Sequence, residues 1–311
     1  MATQSPLFSK MESVVTKTHD IWEDKLVYWL LLPMTVSLIT FTLYPGLYNL
    51  YLGFVEYSLT DPSSVGQFIG LSNFQEAFTD SETINAVKTS LIFILSALML
   101  ETILGFSLAV LVKNVEHRIG TFYRVLFIIP MAVTPVSIAT ISRIMLNSQV
   151  GIIPYLYEIV LPFNAPNFLG SHLALATIVL IETWQWTPFM FIIFYAGLTS
   201  VPDGLIEAAR VVGAPDWRIY AHIIIPYLKP LAMVALLIRF IDLSRTFGLV
   251  YSLTEGGPGN STSILSIHIF EIGFQSLDLG VSAAISIVYL AVIIIVCNIS
   301  IIGLGFKGVW E

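Results

Sequence analysis

Three charged residues recur at every third position in an otherwise apolar stretch at about 223–252: Arg239, Asp242 and Arg245. Residues three apart on a helix are neighbours and can form ion pairs. If the stretch crosses a bilayer, each charge costs about 2.5 to 3.5 kcal/mol at the centre, so these side chains should face other helices or a wet cavity. Two interpretations stay open. The charges either form a structural ion-pair network or line a path for a polar solute.

Other polar and aromatic residues could complete such a path. Glu182 and Arg143 are possible ion-pair partners for the charges of this stretch. Gln185, Trp186 and Tyr251 offer the hydrogen bonds and aromatic faces that bind polar solutes. Some of these aromatic residues are equally expected as anchors at a membrane interface. Helices that cross the bilayer must position all of these side chains.

The composition predicts a membrane protein. The chain has 311 residues, of which 56% are hydrophobic and only 11% are charged, whereas soluble domains carry about 25% charged residues. The formal net charge of -7 argues against a nucleic-acid partner. A single cysteine, Cys297, excludes a framework of disulfides within the chain. The first apolar run is too long for a cleaved signal core, so it is expected to be a retained span.

Six stretches are long and apolar enough to cross a bilayer, which requires about 20 residues per helix. They lie at about 25–56, 84–112, 125–142, 172–197, 223–252 and 279–306. The sequence therefore predicts an all-α protein with six transmembrane helices. It also predicts a tail at residues 1–24 and one membrane domain at residues 25–311.

The distribution of basic residues predicts the orientation. Lysine and arginine concentrate in cytoplasmic loops of membrane proteins. Here they occur before span one, between spans two and three, between spans four and five, and after span six: Lys10, Lys17, Lys25, Lys113, Arg118, Arg124, Arg210, Arg218, Lys229 and Lys307. The loops at about 57–83, 147–171 and 254–280 carry acidic residues and no lysine or arginine. Both termini are therefore expected to be cytoplasmic.

The loop at about 200–222 is predicted to be a structured hairpin. Ser200 can cap a helix that has Pro202 in its first turn, and Gly213 permits the left-handed conformation that ends a helix. Asp216 can open a second short helix, and Pro226 is expected to mark the return to the membrane.

One face of the first hairpin helix is predicted to be apolar. Its residues follow helical spacing: Leu205, Ile206, Ala209 and Val212. An amphipathic hairpin at the membrane surface would explain this face. It would not explain the small Ala208 and Ala209 beside Glu207, which favour close approach by another protein surface.

The spacing of this loop resembles the EAA motif of ABC-importer permeases. Glu207-Ala208-Ala209 is followed after three residues by Gly213, and after nine more by Ile223 and Pro226, with Ile225 where leucine is usual. The stretches 184–189, 198–202 and 247–259 are similar to sugar permeases of the maltose and glycerol-3-phosphate importer type. The family often has an acidic residue where Gly248 stands. The resemblance covers essentially the whole chain after the tail.

The resemblance implies a type I ABC importer permease in a bacterial inner membrane. Its expected partners are two ATP-binding subunits, a second and non-identical permease, and an extracytoplasmic solute-binding protein. ATP and Mg²⁺ would bind to the ATPase subunits, so this chain needs no cofactor and is not itself an enzyme. The resemblance assigns ATPase coupling to a set of residues in and after the hairpin: Leu205, Glu207, Ala208, Ala209, Arg210, Gly213 and Pro226. Glu207 would meet a basic or polar ATPase group or pair with Arg210, and Leu205, Ile206 and Val212 would fill the ATPase cleft.

Two alternatives remain from other functional classes. An ion-coupled secondary transporter could use Glu101, Glu182 or Asp242 as a proton or cation relay, although no inverted repeat is visible. A membrane enzyme would need a catalytic constellation, and no phosphate-binding loop or metal-ligand motif occurs in the sequence. The charge of the solute also stays open. Two arginines on span five favour an anionic sugar, whereas Glu182 could cancel the excess and admit a neutral sugar or polyol.

Overall fold

The computed structural model describes residues 26–60, 65–115 and 117–303, without the side chains of 117–119 and 303. The described chain is mainly helical, with one short antiparallel pair of strands, Val55–Glu56 and Gln67–Phe68. In chain order the helices are α1 (Leu26–Leu52), α2 (Ser72–Thr79), α3 (Ser81–Lys113), α4 (His117–Ile128), α5 (Pro135–Met145), α6 (Ile152–Val160), α7 (Ala174–Ser200), α8 (Asp203–Val211), α9 (Asp216–Ser244), α10 (Gly248–Thr254), α11 (Leu265–Phe270) and α12 (Leu279–Gly303). The predicted tail at 1–24 and Lys307 lie outside the described residues.

Five helices in the described ranges are long and apolar enough to cross a membrane: α1, α3, α7, α9 and α12. The predicted third span is a sixth only if α4 and α5 are counted together, because they meet at an angle of 90°. The predicted span at 125–142 is therefore sharply bent rather than straight. Thr134 precedes Pro135 and is extended, as residues before proline usually are, and its hydroxyl accepts a hydrogen bond from the Ser137 amide.

The fifth span both begins and ends earlier in the sequence than predicted. The helix α9 ends at Ser244 rather than near 252, and α10 begins only at Gly248. Arg245 therefore caps the end of α9 instead of lying within it. At its other end, α9 begins at Asp216, so the predicted second short helix of the hairpin is the first part of this span.

The centre of the bundle is the contact between α3 and α7. Ala97 and Ala109 of α3 are fully buried, and so is Met190 of α7. Gly105 lies between them, and a Cβ added there would come within 2.5 Å of the Met190 Cβ and 2.9 Å of the Phe191 backbone nitrogen. Small residues on α3 therefore allow the two helices to approach closely, as is common in membrane bundles.

Gly105→Ala is expected to destabilise the protein, because the neighbouring atoms include backbone that cannot move aside. Overpacking a tight contact costs about 1–3 kcal/mol. The measurement is the midpoint of thermal unfolding of the purified protein in detergent. Gly46→Ala is the matched control, because an added Cβ at Gly46 meets no atom within 4 Å. Equal midpoints for the two variants would contradict the prediction.

In contrast, α1 contacts the rest of the chain mainly near its end, where it packs against α12. Leu52, at its end, is its only buried residue, and its apolar side chains are about half exposed or more over most of its length. Three tyrosine rings follow one another near that end: Tyr48 stacks on Tyr44 and is tilted against Tyr51. The surface of α1 is thus available to lipid or to another chain.

Candidate solute path and the EAA hairpin

Three helices each contribute one charged side chain to a buried cluster. The Arg239 guanidinium of α9 donates from Nε and Nη2 to the two carboxylate oxygens of Glu101 on α3, at 2.8 and 2.7 Å. Its Nη2 also donates to Oε1 of Glu182 on α7 at 2.9 Å. The side chains of these residues are at most 3% exposed. Paired hydrogen bonds between a guanidinium and a carboxylate are among the strongest in proteins, so this cluster joins α3, α7 and α9.

A second, exposed ion pair lies next to this cluster. Asp242 is one helical turn beyond Arg239, with its Oδ2 4.0 Å from Arg239 Nη1. Arg245 Nη2 donates to Asp242 Oδ1 at 3.1 Å. The exposed fraction of the side chain rises from 1% at Arg239 to 34% at Asp242 and 71% at Arg245. The charges therefore run from the core of the bundle to its surface.

A cavity of about 490 Å³ opens onto these charges. Its polar lining includes Glu182, Arg239, Asp242 and Arg245, and Trp186 also lines it, with its ring 4.6 Å from the Arg239 guanidinium carbon. The first turns of α5 and α10 form the opposite wall, at 135–136 and 246–249. The two breaks in the spans thus form part of the wall of the cavity.

Five of the seven predicted path residues lie together at this cavity: Glu182, Trp186, Arg239, Asp242 and Arg245. The other two lie elsewhere. Gln185 is fully buried and its Nε2 donates to the Val133 carbonyl at 2.9 Å, so it holds the break between α4 and α5. Tyr251 stacks on Phe247, with ring centroids 5.0 Å apart.

Sequence reasoning missed the role of Glu101. The sequence suggests only a proton relay for Glu101, which lies inside an apolar run, whereas in the structure its carboxylate accepts two hydrogen bonds from Arg239. A charge at that position was the available signal, but nothing in the sequence pairs it with a residue 138 positions away. The alternative partner, Arg143, instead pairs with Glu255 at 3.3 Å, and both side chains are more than half exposed.

The EAA hairpin, residues 200–222, has a sharp turn at Gly213, as predicted. Gly213 adopts a φ of +81°, and its amide donates to the Arg210 carbonyl at 2.9 Å. Its start differs from the prediction, because α7 continues through Ser200, whose hydroxyl donates back to the Gly197 carbonyl. Serine often makes this bond inside helices, so Pro202 rather than Ser200 occupies the capping position of α8.

The apolar face of α8 is divided between two environments. Ile206 and Ala209 pack against the bundle, whereas Val211 and Val212 are 87% and 81% exposed. Leu205 is also about half exposed. The expectation that Ile206 lies on an outward face with Val212 was therefore wrong, because the hairpin folds back onto its own helices.

The polar residues of the hairpin also differ from expectation. Arg210 pairs with Asp216 at 3.5 Å across the turn rather than with Glu207. Glu207 and Ala208 are exposed, and within the described ranges Glu207 forms no ion pair. Pro226 lies in the continuous helix α9, directly after a widened turn at Tyr220–Ile224, so it does not begin a separate helix.

Comparison with known proteins assigns the family. Residues 101–304 match the family model described as binding-protein-dependent transport system inner membrane component. The chain is 32% identical to the probable ABC transporter permease protein y4oQ of Sinorhizobium fredii, covering 91% of this chain and 90% of that protein. It is also 32% identical to the trehalose/maltose transport system permease protein MalF of Thermococcus litoralis, over 89% and 92% of the two chains.

A third relative is the sn-glycerol-3-phosphate transport system permease protein UgpA of Rhizobium meliloti, which is 32% identical over 86% of this chain and 91% of its own. The fold matches a chain of a bacterial alginate ABC transporter crystallised with an alginate pentasaccharide-bound periplasmic protein, with a TM-score of 0.78 at 20% identity over 91% and 94% of the chains. The chain is therefore a multi-pass membrane protein that belongs to the binding-protein-dependent transport system inner membrane components, and it is an ABC transporter permease of the sugar-transport type.

Proposed function

We propose that this chain is one permease of an ATP-driven, binding-protein-dependent importer of a carbohydrate or sugar derivative, and that it moves its solute by alternating access. The observation that supports this most directly is the helix α9, which begins in the EAA hairpin at Asp216 and carries Arg239 and Asp242 to the cavity. One helix thus joins the hairpin to the polar cavity. The trehalose/maltose and glycerol-3-phosphate systems of the relatives support the carbohydrate class.

The proposed partners are two ATP-binding subunits, a second and non-identical permease, and an extracytoplasmic solute-binding protein, all at a bacterial inner membrane. ATP and Mg²⁺ would bind to the ATPase subunits, because the sequence of this chain has no phosphate-binding loop. The acidic loops at about 57–83, 147–171 and 254–280 would face the binding protein. The hairpin would face the cytoplasm.

The outward surface of the hairpin would contact the ATPase. Leu205, Val211 and Val212 provide exposed apolar area, and Glu207 provides an exposed carboxylate without an ion pair in the described chain. Exposed apolar side chains grouped on a short helix are typical of a docking surface. Ile206 and Ala209 would instead transmit movements of the ATPase to the membrane helices, because they contact the bundle.

Glu207→Lys is expected to uncouple the importer, since it places a cation where a basic or polar ATPase group would meet the carboxylate. Solute uptake into proteoliposomes should fall by more than tenfold, about 1.4 kcal/mol of lost contact, while ATP hydrolysis by the complex persists. Lys229→Glu is the control, because Lys229 is an exposed charge outside both the hairpin and the acidic loops. Equal uptake in the two variants would contradict the coupling role. Uptake driven by an ion gradient without ATP would instead establish an ion-coupled carrier.

A further inference from the structure

We infer that the cavity selects a polyhydroxy solute without net negative charge, and that Glu101 sets this preference from behind the cavity wall. The inference rests on the proposed function and deepens it. Glu101 is fully buried and does not line the cavity. It acts through Arg239, so it is a positioning residue that determines specificity.

The positive charge of Arg239 is already neutralised inside the protein. Its Nε and Nη2 donate to Glu101, and Nη2 donates also to Glu182. Two carboxylates therefore share one guanidinium at distances below 3 Å. An anionic solute at the cavity would have to compete with both of these carboxylates for the Arg239 guanidinium.

The remaining positive charge at the cavity is matched as well. Arg245 donates to Asp242 at 3.1 Å, and Asp242 also lies 4.0 Å from Arg239. In total, two guanidinium groups face three carboxylates. If one buried carboxylate holds a proton, the balance is zero, and in neither state is it positive. An anion in a cavity of this kind is repelled or at best not attracted.

The same groups suit hydroxyl groups, which both donate and accept hydrogen bonds. The Asp242–Arg245 pair offers acceptors and donors side by side at the cavity. Trp186 and Phe247 also line the cavity and offer apolar faces to the carbon-bound hydrogens of a sugar ring. Gly248 has no side chain that could narrow the cavity. A Cβ added there would come within 3.2 Å of Val136, because α5 and α10 lie close together at this wall.

Overall similarity does not decide the charge of the solute. The relative named for trehalose and maltose and the relative named for glycerol-3-phosphate are each 32% identical to this chain. The two solute classes differ in charge, however, and the ion pairs of the cavity distinguish them. The charge balance therefore favours a neutral sugar over a phosphate ester.

The test uses the complete complex of this chain with its partner permease and ATPase pair, in lipid nanodiscs and without the binding protein. Four probes are titrated by calorimetry: trehalose, trehalose 6-phosphate, maltose and glycerol-3-phosphate. For the wild type, at least one neutral sugar should bind about tenfold or more tightly than either phosphate ester, as expected for one unbalanced charge acting on an anion in a partly wet site.

Two variants shift the charge balance of the cavity in opposite directions, each by removing one charge from the Asp242–Arg245 pair. Asp242→Asn removes a negative charge and should reduce the preference for neutral sugars about tenfold, whereas Arg245→Gln should increase it. Glu101→Gln should act as Asp242→Asn does without touching the cavity surface. Arg143→Gln is the matched control, because this exposed arginine pairs with Glu255 and does not line the cavity. Its affinity ratio should equal that of the wild type.

The failures are distinguishable. Tighter binding of a phosphate ester by the wild type, or an unchanged ratio in both Asp242→Asn and Arg245→Gln, overturns the inference and leaves the importer proposal standing. No binding of any probe, together with no ATP-dependent uptake of any of them by the complex with its binding protein, overturns the importer proposal for sugars and this inference with it. Because only ratios between probes are compared, a variant that lowers all affinities equally also counts against the inference.

Discussion

Replacing Arg239 by methionine will prevent most of the protein from folding into a stable bundle. The side chain is 1% exposed and is the only cation that contacts Glu101 and Glu182 among the described residues. Without it, two carboxylates are left in a buried site with no counter-charge. Removing one partner of a buried ion pair costs about 3–5 kcal/mol, which is a large part of the stability of an ordinary domain.

The measurement is the yield of monodisperse protein and the midpoint of thermal unfolding in detergent. Arg245→Met is the matched control, because this arginine is 71% exposed and should change the midpoint little. The triple variant Arg239→Met, Glu101→Gln, Glu182→Gln should recover much of the loss, since it removes the unpaired charges together. A wild-type midpoint for Arg239→Met alone would show that the cluster does not stabilise the fold.

Gly213→Pro will abolish transport while leaving the protein inserted in the membrane. Proline requires a φ near −65° and has no amide hydrogen, whereas Gly213 has a φ of +81° and donates to Arg210. The turn must therefore rearrange, because proline can neither adopt this φ nor donate this hydrogen bond. Val211 and Val212, directly before it, would lose their placement on the proposed ATPase surface.

A graded series at the same position provides the control. An added Cβ at Gly213 meets no atom within 4 Å, so backbone conformation alone decides the effect. Asparagine tolerates the left-handed conformation and alanine tolerates it less well. Uptake should therefore fall in the order glycine, asparagine, alanine, proline, with ATP hydrolysis measured beside it. Full uptake by Gly213→Pro would contradict a rigid hairpin.

The sequence predicted the helical class, the approximate positions of the spans and the turn at Gly213, because apolar length and glycine chemistry are local signals. It did not predict the breaks at 133–134 and 245–247. An apolar run has the same composition whether it continues straight or turns, and only Pro135 hinted at the first break.

The pairing of Arg239 with Glu101 was also beyond the sequence. The contact joins residues 138 positions apart, and its specificity arises from how α3, α7 and α9 pack. Likewise, helical spacing identified the apolar residues of α8 but not which of them pack on the bundle and which are exposed. Ile206 packs on its own bundle and Val212 does not, which depends on how the hairpin folds back.

The length of α9 has a consequence for energetics as well as for shape. From Asp216 to Ser244 it spans 29 residues, about 43 Å at 1.5 Å per residue. A tilt of about 5° at one end would move the other by about 4 Å over that length. The widened turn at Tyr220–Ile224 and Pro230 are the places where such a lever would bend.

If both ends of this lever bind partners, their affinities must be linked. Any change at the hairpin that alters solute affinity at the cavity by some factor requires that solute alter the affinity of the hairpin for its partner by the same factor. A single helix would then report the occupancy of the cavity to the far side of the membrane, before any nucleotide is hydrolysed.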